Sequence, residues 1–343
     1  MRRGVWALSA TTALVVSACG LFRGAVNSSP GLRWWLFSNF GAQKMCPEML
    51  KRGAPLTLVP GGNTMGRFFP SACDVQVSDE RQIATLHFSG TGYGWTPLAG
   101  RVGFSMETAV EYRPDFQLTE DATYVFARTN RVVYGPVFQI GSIENKLADW
   151  ASRSPAGYLA SVFGSQIVES RLASGFTVVR TDQGDDFSLG ILTPPARPPH
   201  PFGLEDDDRI SLANETTEVR SGQVDFVGPL EVAESEQALY LRYRLQGPAV
   251  DAFVMPRSVA DPWREGLQKG ATLAPPPYPP VRSFTIQPGV EGSETVRLPP
   301  GQYYVVVDNS AAVGTVSPPW NPLSAIGGNA ATLSLSIELG DAG

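Results

Sequence analysis

Two periodicities divide the chain. From about residue 222 onward, apolar and polar positions alternate with a period of two. Leu239, Leu241, Tyr243 and Leu245 alternate with Tyr240, Arg242 and Arg244, and Leu333, Leu335, Ile337 and Leu339 with Ser334, Ser336 and Glu338. Alternate side chains of an extended chain fall on opposite faces, so each run predicts a strand with one buried face. Val224–Val232, Val250–Met255, Arg282–Gln287, Glu294–Leu298 and Tyr303–Asp308 are further strand candidates. Seven short strands over 222–343 predict an all-β sandwich as the C-terminal domain.

Residues 45–193 predict an α+β domain. Strand candidates are Leu56–Val59, Asp74–Val77, Ala84–Phe88, Val102–Tyr112, Ala122–Arg128 and Val132–Ile140, the last broken by Gly135-Pro136. The helical period then takes over. Ser154-Pro155 is a cap followed by a first-turn proline, and Leu159, Val162, Phe163, Gln166, Ile167 and Leu172 recur at spacings near three and four. Gly175 is the natural stop, which predicts a helix over 155–174, with a shorter one over 143–151 before it. Phe176–Val179 and Phe187–Leu192 predict a hairpin across Asp182-Gln183-Gly184-Asp185.

Upstream, Ser29-Pro30 predicts a helix start within residues 19–44, with Leu32, Trp35, Leu36 and Phe40 on one face. That face predicts either a first helix packed on the protein or an aromatic foot in a membrane interface. Residues 194–221 open with PPARPPHP, a stiff extended linker, and continue into Glu205–Asp208. The 35 glycines and 29 prolines fit many turns and short strands. The formal charge is −6, so the electrostatic footprint of a nucleic-acid binder is missing. The acidity is concentrated at the junction, where Asp182–Glu236 holds 13 acidic and 3 basic residues.

The first eighteen residues carry an address. Arg2 and Arg3 precede a mostly apolar run from Val5 to Val16, too short to span a bilayer. Val16-Ser17-Ala18-Cys19 resembles the lipobox of bacterial lipoproteins, with Val16 where leucine is commonest. The resemblance implies cleavage after residue 18, acyl chains on Cys19 and a membrane as partner. Gly20 in place of Asp implies the outer membrane rather than the inner. Cys46 and Cys73 remain, an even count that predicts a disulfide in an exported chain.

Candidate chemistry is sparse. HExxH, CxxC, GxSxG, Ser-x-x-Lys and a Walker-type loop are all missing from the sequence. His87 lies on a strand candidate and reads as a partly buried strand residue, while His200 reads as a solvated linker residue. Gly90-Thr91-Gly92-Tyr93-Gly94-Trp95 reads as a glycine turn. Glu107 and Glu111, four apart on one strand, are a formal carboxylate pair, and Glu205–Asp208 with Asp185 and Asp186 is an acidic cluster without calcium-loop spacing. Tyr93, Trp95, Trp263, Tyr278 and Trp320 are the candidate binding aromatics, the last three in Pro-rich loop patches. LPPGQYYVVVDNS is similar to a late strand of the pre-peptidase C-terminal domains.

These features point to a non-catalytic envelope lipoprotein in a binding or structural role, without cofactor or metal. The alternatives are a carrier of lipid or another apolar ligand, with its groove beneath helix 155–174, and a polysaccharide-active hydrolase.

Overall fold

The computed structural model describes residues 22–57, 62–96, 99–144, 173–203, 208–319 and 329–342. The chain is mostly β, with short helices. Its first sheet grows from a long antiparallel meander: β1 (Ala54–Thr57), β2 (Thr64–Ser78), β3 (Ile83–Thr96), β4 (Gly100–Leu118), β5 (Thr123–Ile143), β6 (Phe176–Thr181) and β7 (Gly184–Leu189). Ala84, Leu86 and Phe88 lie inward on β3, opposite Tyr112, Val110 and Thr108 of β4. Ala122–Arg128 and Val132–Ile140, expected as two strands, fall, from Thr123 onward, in the single strand β5. Its ladder with β4 is shifted at four places, including Glu107/Ala109 and Glu111/Tyr112. Each bulge adds a residue on one strand, bends it and increases its twist, so the two longest strands curl.

The curl brings the ends of the meander together on β8 (Ile210–Val219). Thr64 of β2 pairs with Thr217, and Gly184 of β7 pairs with Ser211, both in parallel. The other edge of β8 carries a full antiparallel ladder with β15 (Ala331–Asp341). Strand β8 therefore closes the curled sheet and also continues it into the C-terminal half. Its sequence, ISLANETTEV, is mostly polar and gives no clear alternation, which is why it escapes a pattern reading.

In the C-terminal half β8, β15, β10 (Gln237–Gln246) and β13 (Glu291–Arg297) face a second sheet of β12 (Arg282–Ile286), β11 (Val250–Pro256), β14 (Gly301–Asn309) and β9 (Gln223–Val232). Leu239, Leu241, Leu333, Leu335 and Ile337 interdigitate with Val227, Leu230, Ala252, Val254 and Val305 in one core. Each of the seven strand candidates of this half contributes a strand.

The second sheet is buried on both faces, which explains the unbroken apolar runs of β11 and β14. Its outer face, with Phe226, Met255, Tyr304 and Val306, packs on Phe69 and Tyr93 of the first meander and on α3 (Arg257–Gln268), which succeeds two shorter helices at the front of the chain. Asp261-Pro262-Trp263, expected in a loop, lies inside this helix. Pro262 sits near its middle, and Trp263 is buried with its ring 5.3 Å from that of Phe226.

Those front helices are α1 (Pro30–Leu36) and α2 (Ala42–Lys51), joined by a π turn over Phe37–Gly41. The Ser29 side chain accepts from Leu32 N–H at 3.3 Å, and Pro30 occupies the first turn, as the sequence predicts. The π turn adds a residue to the helical repeat and rotates α2 relative to α1. The inward residues are consequently Trp34 and Phe37, whereas Trp35 and Phe40 point outward. Of the face drawn through Leu32, Trp35, Leu36 and Phe40, Trp35 and Phe40 stay together with rings 5.7 Å apart but are exposed, which corrects their expected packing on the protein. All but the last two residues of the helix over 155–174 and most of the shorter one lie outside the described residues, as do Cys19, Glu205–Asp207 and Trp320; Ile143 itself ends β5.

Candidate functional site

The alternation that buries one face of the meander would ordinarily fill its hollow with side chains. Here it leaves a cavity of about 1350 Å³, above the roughly 300–1,000 Å³ usual for small-molecule sites. Its walls are the inner faces of β2–β7, its end is the Ser211–Thr216 stretch of β8, and its roof is the segment α1–π–α2. Leu86, Phe88, Phe104 and Met106 line one wall, and Val125 and Val178, paired across β5 and β6, line another. The lining is predominantly apolar.

Several contacts hold the roof. Cys46 of α2 is disulfide-bonded to Cys73 of β2. Arg33 Nε donates to Asp115 of β4 at 2.6 Å. Asn27 donates to Leu118 O at 2.8 Å and accepts from Leu118 N–H at 2.9 Å, extending the edge of β4 by one amide. Trp34 Nε1 donates to Asp79 at 2.9 Å. The Pro-rich linker is packed rather than free, since residues 197–201 line the same cavity. His200 is exposed, as expected, and its Nε2 lies 3.0 Å from Asp186. Arg180 grips Asp185 with Nε and Nη2 at 2.9 and 2.7 Å.

At the β8 end a polar cluster borders the greasy lumen. Arg67 of β2 donates to Asp225 of β9 through Nε at 2.9 Å and Nη2 at 2.8 Å, and also pairs with Glu215. Tyr93 O–H donates to Asp225 at 2.6 Å and accepts from Phe226 N–H at 2.8 Å, and Thr217 donates to the other Asp225 oxygen at 2.8 Å. Burial opposes the charge on Arg67, but Asp225 and Glu215 outweigh it and raise its pKa well above the ordinary value. Burial likewise opposes ionised Asp225, and Arg67 wins, holding it below the ordinary carboxylate value. Burial and then Asp225 push the Tyr93 phenol well up, so it stays a donor.

The sequence candidates fare unevenly. Tyr93 is 3% exposed and fully used in this cluster, so it is no binding platform. Gly90–Trp95 is strand interior, not a turn. A Cβ at Gly90 would lie 2.2 Å from Phe69 O, so these glycines let β3 pass close to β2. Trp95 is half-buried beneath the Arg220 guanidinium, 3.9 Å from the ring centroid. Trp263 is a buried plug, and Tyr278 is exposed. His87 is exposed on β3, because the buried face belongs to Leu86 and Phe88.

Glu107 and Glu111 do not act as a pair. Glu107 is exposed, while Glu111 is buried and bonded to Arg81, Asn130 and Arg131 at 2.6–3.0 Å. The Arg131 hydrogen bond leads in lowering the Glu111 pKa to about 2. That is the opposite of the raised pKa a general acid requires. Among the described residues no group of three or more His, Cys, Asp or Glu side chains is placed to hold a metal ion.

No family model matches the chain, and no curated protein matches it. One similar solved structure is a glycoside hydrolase family 43 arabinoxylan arabinofuranohydrolase from Bacillus subtilis in complex with cellotetraose. The match has 8% identity and a TM-score of 0.19, and covers 78% of this chain and 66% of that one, just under two thirds of its length. A likeness at that level says nothing about fold or activity here.

Proposed function

We propose that the chain is a lipid-anchored protein of the bacterial cell envelope that binds a lipid or another large apolar ligand without catalysis. One observation carries this reading: an apolar cavity of about 1350 Å³ under a helical roof. A lumen that the described residues leave unfilled forfeits the packing that stabilises ordinary cores, so a ligand that fills it contributes stability as well as occupancy. In this reading residues 45–193 form an α+β unit that carries the ligand, and 222–343 a sandwich that supports it. Cys19 bears the acyl chains, and the outer membrane is the favoured site. Helix 155–174, beneath which a groove is expected, lies almost wholly outside the described residues, and this cavity is roofed by residues 30–51.

Protein purified from its native envelope, extracted with organic solvent and analysed by mass spectrometry, is expected to yield stoichiometric lipid. Val125→Trp and Val178→Trp place indoles in the lumen from neighbouring strands and are expected to empty it while leaving circular dichroism unchanged. Wild-type protein free of lipid, and indifferent to added phospholipid in thermal unfolding, would refute the reading.

A further inference from the structure

The rim of the cavity has a composition that the lumen alone does not require. Phe22 and Phe40 line the cavity and yet are 59% and 60% exposed, which puts them at its mouth. Phe187 and Ile191 line it from the sheet side and are also exposed. Trp35, 52% exposed, extends the patch, its ring 5.7 Å from that of Phe40. The π turn creates this pair by bringing residues five apart onto one side. Folding alone would favour burying these rings, so a contiguous group of them around an opening marks a contact surface.

Charge and chain length select the partner. Residues 22–52 hold five basic side chains, Arg23, Arg33, Lys44, Lys51 and Arg52, against one acidic, Glu48. That segment is +4 by sequence in a chain of net −6; Arg33 is held by Asp115 and Lys51 lies within 3.7 Å of Glu48 and Glu231, so the excess is carried by Arg23, Lys44 and Arg52, with Lys44 exposed. Asp185 and Asp186 on the rim face Arg180 and His200, and Arg52 donates to Asp185 O at 3.2 Å. Aromatic residues beside a basic helical segment match an anionic bilayer surface, where the rings enter the acyl boundary and the cations meet the headgroups. Cys19 precedes Phe22 by three residues, a span of at most about 11 Å of extended chain. Acyl chains at Cys19 therefore bring the bilayer to this face.

We infer that Phe22, Trp35 and Phe40 seat the cavity mouth on an anionic lipid bilayer, so that an apolar ligand moves between membrane and lumen without crossing water. The inference rests on the ligand-binding reading for its purpose, and tryptophan quenching on vesicles separates the two.

Full-length protein is reconstituted with phosphatidylcholine vesicles, with and without phosphatidylglycerol, some carrying brominated acyl chains. Brominated lipid is expected to quench part of the tryptophan emission, more strongly with phosphatidylglycerol, and Trp35→Phe is expected to remove that quenched part. Trp35→Ser, at a residue outside the cavity lining, is expected to slow lipid transfer between vesicles about tenfold while keeping the bound lipid. Trp35 emission that stays open to aqueous iodide and untouched by brominated lipid overturns the docking surface, even where the protein still copurifies with lipid. Protection of Trp35 that appears without vesicles and grows with protein concentration also overturns it, since a second copy then covers the patch.

Discussion

Arg67 of β2 and Asp225 of β9, 158 residues apart, meet in a two-pronged ion pair with nitrogen–oxygen distances of 2.9 and 2.8 Å. Asp225 belongs to the second sheet of the sandwich, and Arg67 to the curled sheet. The contact is dry, with the two side chains 2% and 7% exposed. Surrounding it, Phe69 and Tyr93 from one half pack on Phe226 and Tyr304 from the other. An apolar interface sets the proximity of the halves, and the fork of the guanidinium fixes their register.

Breaking that pair from one side leaves a buried charge without its partner. Asp225→Ala is expected to destabilise the protein by about 3–5 kcal/mol. Arg67→Met/Asp225→Leu, which removes both charges, is expected to cost less than the single change. Urea unfolding followed by tryptophan fluorescence and by far-UV dichroism gives the comparison. Coincident transitions are expected, since the interface joins both halves into one cooperative unit.

Legibility in the sequence obeys the same physics. Strands β10 and β15 have one buried face and one polar face, so a two-residue period betrays them. The fully buried β11 and β14 lose the alternation, but their apolar runs remain visible. Strand β8 carries Asn214, Glu215, Thr216 and Thr217 to the seam, the lumen and the Asp225 cluster, and these polar duties erase its pattern. The cavity is not legible, because a residue lining a hollow looks like a residue filling a core. The one available signal for the cluster was Arg67 itself, a charge set directly before Phe68-Phe69 in a strand.

The Cys46–Cys73 bridge ties the roof to the wall across a sequence separation of 27. On loop-closure entropy its removal is expected to cost about 3–4 kcal/mol. Cys46→Ser/Cys73→Ser should therefore unfold at lower urea than wild type. Because the roof covers the cavity, the same variant is expected to release bound lipid faster in a stopped-flow exchange assay. Unchanged release with lowered stability would mean that Arg33–Asp115 and Asn27 suffice to hold the roof.

Stability should depend on pH through two carboxyls of opposite habit. Burial raises the Asp308 pKa to about 6, although the Ser310 hydroxyl and Gly314 N–H pull it down. In the unfolded chain the group titrates near its ordinary value of 3.8. Between those values the native state holds more protons, so stability falls as pH rises from about 4 to about 6 and is flat above. Glu111, at about 2 against an ordinary 4.5, behaves in reverse. Its contribution is complete above about 4.5 and is lost as pH falls toward 2. Urea midpoints measured across this range are expected to show that Asp308→Asn removes the decline above pH 4. Glu111→Gln should remove part of the loss on acidification.

Trp263 and Tyr278 are alike in sequence, each an aromatic beside proline, and opposite in place. Trp263 packs edge-on against Phe226, with Nε1 donating to Ala274 O at 3.1 Å, and anchors α3 on the second sheet. Tyr278 is 66% exposed. Truncating a buried tryptophan leaves a large void that the β framework closes only in part, so Trp263→Ala is expected to cost about 3–5 kcal/mol. Tyr278→Ala removes no buried contact and is expected to stay within about 0.5 kcal/mol of wild type. Chemical denaturation of the two variants side by side checks both values. A large loss at Tyr278 would mean that its ring is covered in solution, and the pair would then have to be treated as one packed patch.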